Sequence, residues 1–165
     1  MSSDIHPKFK YNKTDARLIQ DMMKFGPANP MNATARLFWF EVNSHMMTDY
    51  SYWFILSTIW VEFTGWTSLD TWRKLFSSDR PDRDCLMKPS ELEAFKQLPE
   101  IVTCYRAHRE KETQWLSYTL EREIAEKFLA KRPGGYIKEY KIPKADILCL
   151  FLRRQEKELL CLKQL

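Results

Sequence analysis

Leu98-Pro99-Glu100-Ile101-Val102-Thr103-Cys104-Tyr105-Arg106-Ala107-His108 is the stretch at which the chain changes its period. Ahead of it, apolar residues recur three and four apart, as on one face of a helix. Beyond it, short runs of β-branched, aromatic and aliphatic residues stand between turn formers. Pro99 lacks the amide hydrogen a helix would need there, so it separates the two regimes. The chain therefore reads as α+β, helical first and mostly β afterwards.

Working forward from Pro99, five runs are predicted strands: Ile101 to Arg106, Gln114 to Thr119, Gly135 to Ile142, Asp146 to Leu152 and Lys157 to Leu162. An amphipathic helix, with Leu120, Ile124, Phe128 and Leu129 on its apolar face and Thr119 as its cap, falls between the second and third. Working backward, Ser90 and Glu93 have capping-box spacing for a short helix ending near Leu98. Ser77 to Asp84, with Pro81, reads as a loop, and Ser68 precedes a helix bearing Leu69, Trp72, Leu75 and Phe76. A further helical segment runs from Asp49 through Phe54, Ile55, Ile59 and Trp60 to Phe63, with Gly65 suited to a left-handed stop. Another follows Asn32 with Leu37, Phe38 and Phe40. A first helix, capped by Thr14 or Asp15, carries Leu18, Ile19, Met22 and Met23 and ends at Gly26, Pro27 and Pro30. Residues up to Pro7 are expected to fray. The organisation expected is a helical region, 1–97, packed on a β core, 98–165, as one compact unit.

Composition narrows the function classes. With 165 residues and 44% hydrophobic content the chain can bury a core, and six Trp, seven Tyr and ten Phe make that core aromatic. The formal charge of +4 comes from interspersed charges, 26 basic and 22 acidic, so electrostatics alone does not point to nucleic acid. Trp53, Trp60, Trp66 and Trp72 have helical spacing and few lysines nearby, which favours core packing over base stacking. Cys85, Cys104, Cys149 and Cys161 show no CxxC pair and lie among apolar residues, as reduced cysteines in a cytoplasmic protein do. His6, His45 and His108 are far apart, and no Cys/His cluster has zinc spacing, so no metal is expected. No secretory pattern follows Met1. Tyr52 to Phe63 is interrupted by Glu62 and falls short of the ~20 residues a membrane span needs, so it reads as a buried helix and no membrane partner is expected.

Three clusters in the β half can carry chemistry. The first is Cys104-Tyr105-Arg106-Ala107-His108, entered through Leu98-Pro99. The second is Leu116-Ser117-Tyr118-Thr119, followed by Ala125 and Phe128. The third is Gln155-Glu156-Lys157-Glu158-Leu159-Leu160. Singly, Arg106 reads as a solvated strand-end arginine, His108 as a surface or turn residue, and Arg153 to Glu158 as a charged hairpin turn. In this order, however, they resemble the arginine, serine, glutamate signature of the toxin-like mono-ADP-ribosyltransferase superfamily, in particular its phage and bacterial members. The resemblance covers Leu98 to Leu162, and Ala107 departs from it where the family has glycine.

That resemblance implies a split β-sandwich holding NAD, as substrate, in a cleft between two sheets. It also implies transfer of ADP-ribose to a macromolecular acceptor with release of nicotinamide. Arg106, Tyr105, Ser117, Tyr118, Thr119 and Glu158 would line the NAD site. The E-x-E pattern implies a protein arginine acceptor, oriented by Glu156, with Glu158 acting on the ribose. The residue types suit the task. A carboxylate, Glu158, offsets positive charge developing on the ribose. A planar guanidinium, Arg106, offers a fork of donors to a pyrophosphate. A hydroxyl, Ser117, holds the carboxylate without adding charge. On extended chain Glu156 and Glu158 would share a face. Among Tyr118, Tyr136 and Tyr140, one would stack on nicotinamide, and His108 is an alternative base. The rival readings are an NAD glycohydrolase on the same fold, a non-catalytic inhibitor or binding protein of phage type, and a nucleic acid acceptor.

Overall fold

Four helices are started by side chains that accept an otherwise unpaired backbone N–H of the first turn. Asn12 caps α1 (Lys13–Met23), Asn29 caps α2 (Pro30–Asn43), Thr48 caps α3 (Asp49–Glu62) and Ser68 caps α4 (Leu69–Phe76). The computed structural model describes residues 4–27 and 29–165 and divides the chain into two compact units, one reaching to Pro89 and one spanning Ser90–Leu165. The division thus falls at the first residue of the short helix Pro89–Lys96.

In the first unit the cap of α1 is Asn12 rather than Thr14 or Asp15, because Asp15 is otherwise employed. Its buried carboxylate accepts the Thr48 amide at 3.0 Å and the Thr48 and Ser51 hydroxyls at 2.6 and 2.7 Å. These bonds tie α1 to the first turn of α3 and satisfy a charge that burial would otherwise penalise. Trp53 and Leu56 of α3 are fully enclosed, with Leu18, Met22, Leu37, Phe40, Trp72 and Phe76 also buried. Trp60 meets Trp72 edge-on at 4.9 Å between ring centroids. Trp66 departs from the expected core role: it lies between α3 and α4 and is 84% exposed. Met23 and Phe38 also face outward.

Gly65 is not a left-handed stop. A Cβ there would lie 2.7 Å from the Pro30 carbonyl oxygen and 2.5 Å from Thr34 Oγ1, so close backbone approach requires the glycine. The expected fraying up to Pro7 lies outside the described residues for Met1 to Ser3. Within them His6 is buried, its Nδ1 accepting the Lys8 amide, while the Lys8 ammonium pairs with Asp82 and Asp84.

In the second unit α5 (Pro89–Lys96) starts on proline, whose missing amide hydrogen costs nothing in a first turn, so Ser90 lies inside the helix rather than capping it. Its buried Glu91 accepts the Leu152 amide at 3.0 Å and pairs with Arg153 at 2.9 Å. All five predicted strands form: β1 (Ile101–His108), β2 (Ser117–Thr119), β3 (Tyr136–Pro143), β4 (Cys149–Phe151) and β5 (Glu158–Leu160). They make one antiparallel sheet in the order β3-β1-β2-β5-β4.

The chain is α+β, but the two expected sheets are hydrogen-bonded into one. β1 pairs with β3 over all eight residues from Ile101 to His108, yet meets β2 at one position, Tyr105 opposite Thr119. The sheet is therefore nearly parted between β1 and β2. The helix α6 (Arg122–Leu129) buries Ile124 and Ala125, while Phe128 is exposed. Among the described residues no helix is long and apolar enough to cross a membrane, and the four cysteines are buried free thiols.

Candidate functional site

The parting of β1 from β2 decides where the predicted residues lie. Leu116 accepts from the Cys161 amide at 2.9 Å and the Leu120 amide donates to the Lys157 carbonyl at 3.1 Å, so both direct backbone groups toward β5. In an antiparallel ladder alternate residues point the other way. The Ser117 carbonyl is accordingly aimed at β1, where the ladder has ended. Arg106 fills the gap, its Nη1 donating to Ser117 O at 2.8 Å. The Ser117 hydroxyl donates to Glu158 Oε1 at 2.6 Å. Guanidinium, hydroxyl and carboxylate, 52 residues apart in sequence from first to last, meet around residue 117.

Register adds the rest of the wall. Thr119 stands opposite both Tyr105 and Glu158, so these three share a face with Ser117, two residues back. Arg106 and Tyr118 belong to the other face, and Arg106 reaches Ser117 through its long stem. Tyr118 is buried, with its hydroxyl accepting from Trp115 Nε1 at 2.8 Å, and Tyr140 is buried as well; of the three tyrosines offered for stacking, Tyr136 is the exposed one.

Three expectations are corrected here. Thr119 does not cap α6: the cap position is Glu121, which makes no side-chain cap bond. The Thr119 hydroxyl instead donates to the Glu156 carbonyl at 2.8 Å and accepts the Glu121 amide at 3.2 Å. Glu156 is not on extended chain. It has helical dihedrals, φ −93° and ψ −11°, at the end of the turn Arg153–Gln155, and its carboxylate pairs with Arg154 at 3.8 Å. The face-sharing argument for Glu156 and Glu158 therefore fails, and the charged hairpin turn is what joins β4 to β5. That turn holds Arg154, Gln155 and Lys157 at positive φ, values that favour glycine, and Lys157 pairs with Glu121 across it. Finally, His108 is neither a surface nor a turn residue: it ends β1 fully buried.

Glu112 is the residue that sequence reasoning missed. The Glu112 amide donates to Arg109 O at 3.2 Å across a turn with Lys111 at φ 59°, which folds the carboxylate back onto β1. There it takes Arg106 bidentately, at 3.0 Å from Nε and 2.5 Å from Nη2, and lies 2.7 Å from His108 Nδ1. His108 Nε2 lies 2.7 Å from the Tyr140 hydroxyl, and Trp115 and Tyr136 flank the ring at 4.5 and 5.0 Å. Burial first, with the positive charges of Arg106 and Lys138, lowers the His108 pKa from its ordinary 6.5 against the raising effect of Glu112. Burial alone would raise Glu112, but the hydrogen bond and charge of Arg106, with His108 adding to them, outweigh it and hold the carboxyl below its ordinary 4.5. The edge of Arg106 expected to meet a pyrophosphate is thus engaged by Glu112. Of the five guanidinium N–H groups, two remain to donate elsewhere. A half-buried acid in a polar loop leaves no periodic trace; its nearest sequence signal is an acid among Arg106, His108, Arg109 and Lys111.

One group in the first unit places metal-type donors together: His6, Asp84 and Cys85 offer atoms within 4.8 Å of one another. Several of these atoms also have partners within the chain, while His6 Nε2 makes no hydrogen bond among the described residues. His6 Nδ1 accepts the Lys8 amide, the Lys8 ammonium sits 2.7 Å from Asp84, and burial pushes the Cys85 thiol up to about 12. No family model, curated protein or solved structure matches this chain.

Proposed function

We propose that the chain cleaves NAD at the junction around Ser117 and transfers ADP-ribose to a macromolecular acceptor, a protein arginine first among them, releasing nicotinamide. The observation that carries the reading is the Ser117 hydroxyl donated to Glu158 at 2.6 Å, beside the Arg106 bond to the Ser117 carbonyl. It is supported by the resemblance of those three clusters to the mono-ADP-ribosyltransferase signature.

The chemistry asks little of the protein beyond position and charge. The C–N bond between ribose and nicotinamide breaks, the ring nitrogen keeps the electron pair, and nicotinamide leaves neutral. Positive charge then spreads over the ribose carbon and ring oxygen. Glu158, fixed by Ser117, offsets that charge as it develops. The two N–H groups left on Arg106 are available to phosphate oxygens. An acceptor nitrogen forms the new bond and loses a proton.

A second reading is favoured by one observation. Glu156 stands on a turn and pairs with Arg154 instead of sharing a strand face with Glu158, so its carboxylate is not set beside Glu158 on the strand to orient a guanidinium. Water as acceptor, an NAD glycohydrolase, fits that arrangement.

Purified chain incubated with NAD alone, and with labelled NAD plus cell lysate, tests both. Transfer labels lysate material in a protease-sensitive and nuclease-resistant form; hydrolysis releases nicotinamide without label. Glu158→Gln is expected to lower nicotinamide release at least a hundredfold, about 2.7 kcal/mol of transition-state stabilisation. Full release by that variant would remove Glu158 from the mechanism.

A further inference from the structure

The geometry points to Glu112 as the positioning residue of this site, resting on the reading of Ser117 and Glu158 above: it sets the Arg106 guanidinium on the Ser117 carbonyl and thereby holds the Ser117 hydroxyl on Glu158. The chain of contacts is continuous. Glu112 grips Arg106 at 3.0 and 2.5 Å, Arg106 reaches Ser117 O at 2.8 Å, and Ser117 Oγ reaches Glu158 at 2.6 Å.

A guanidinium has a planar fork, so fixing two of its N–H groups fixes the direction of the others. Without the bidentate partner, the Arg106 stem is free to turn and the Ser117 carbonyl loses its partner where β1 and β2 have parted. Glu112 is itself held on a second side by His108, whose other nitrogen lies against the Tyr140 hydroxyl on β3. The Arg106 and Glu112 side chains are 14% and 11% exposed, which leaves room for solvent at the rim but not for swinging apart. Glu112 touches no reacting atom. Its effect travels through residue 117.

That relay gives a test a general loss of stability would not mimic. In the full chain, Glu112→Gln keeps the shape and removes the charge. Its kcat for nicotinamide release is expected to fall at least tenfold with KM for NAD within threefold. In a Ser117→Ala background, where there is no hydroxyl left to position, the same change is expected to cost less than twofold. Equal losses in both backgrounds, or a loss confined to KM, would overturn the inference.

A second measurement needs no turnover. On labelled protein, Glu112→Gln is expected to speed exchange of the Arg106 Nε–H at least tenfold and to shift the Ser117 and Glu158 amide resonances. Unmoved Ser117 and Glu158 signals would overturn the inference whatever the activity. Should the wild-type chain release no nicotinamide, the proposed function fails and the resonances alone decide the role of Glu112. If Glu112→Gln does not fold, Glu112→Asp, which keeps the charge but is too short to grip Arg106 and His108 together, is read by the same two measurements.

Discussion

His108 and Glu112 are a pair through which pH reaches the sheet unit. A base whose folded pKa is depressed binds fewer protons folded than unfolded. The contribution of neutral His108 is therefore complete above 6.5 and is lost as pH falls through its lower folded value. Glu112 is an acid held below 4.5, so its contribution is complete above that value and is lost as pH falls further. Both act in the same direction. The thermal midpoint of the sheet unit is expected to decline in two successive stages between about pH 7 and pH 3, and His108→Gln, which does not titrate, removes the first. A midpoint that holds or rises on acidification would contradict this. Tyr140→Phe probes the same network from the far side. It removes the hydroxyl 2.7 Å from His108 Nε2 and leaves a buried nitrogen unpaired, at an expected cost of about 1–3 kcal/mol in chemical denaturation. At this scale the sequence was only partly legible. Arg106, Ser117 and Glu158 could be singled out because residue type and order survive in a linear string. Glu112 and the burial of His108 could not, since both depend on a turn that brings the acid back against a strand.

Whole elements are legible where period dominates and blurred where single residues decide. All five strands and the helix between the second and third were visible because the change at Pro99 alters the spacing of apolar residues over many positions. Caps were harder to place. Asn12 stands where Thr14 or Asp15 was expected, Glu121 where Thr119 was, and Ser90 falls inside a helix that begins at Pro89, in each case because the hydroxyl or carboxylate has other use or the helix begins earlier. Glu156 illustrates the same limit: an alternation argument presumes extended chain, and the turn at Arg153–Gln155 breaks it. The connection from α6 into β3 supplies an element-scale prediction. A Cβ on Gly135 would collide with the His108 carbonyl oxygen and lie 2.9 Å from that of Arg132, and backbone cannot yield as a side-chain tip can. Gly135→Ala is expected to destabilise the sheet unit by about 1–3 kcal/mol, read as a shift in denaturation midpoint. An unchanged midpoint would mean that β3 can move away from the end of β1.

For the molecule as a whole, the sequence indicated a helical region, 1–97, and a β core, 98–165, as one compact unit; the structure forms two compact units that meet in the sequence at Pro89–Ser90. The expected pair of facing sheets appears instead as one sheet whose strands β1 and β2 share a single paired position. No local pattern encodes that. It follows from β1 running on with β3 to His108 while β2 turns its other edge to β5. The proposed function puts the dinucleotide at this near-parting, with Arg106, Ser117 and Glu158 around it. Titration of the isotope-labelled chain with NAD, followed by backbone amide resonances, reads that contact. Shifts that saturate and cluster at residues 105–108, 117–119 and 156–158 are the predicted result; no shift at millimolar NAD, or shifts confined to the helical unit, would contradict it.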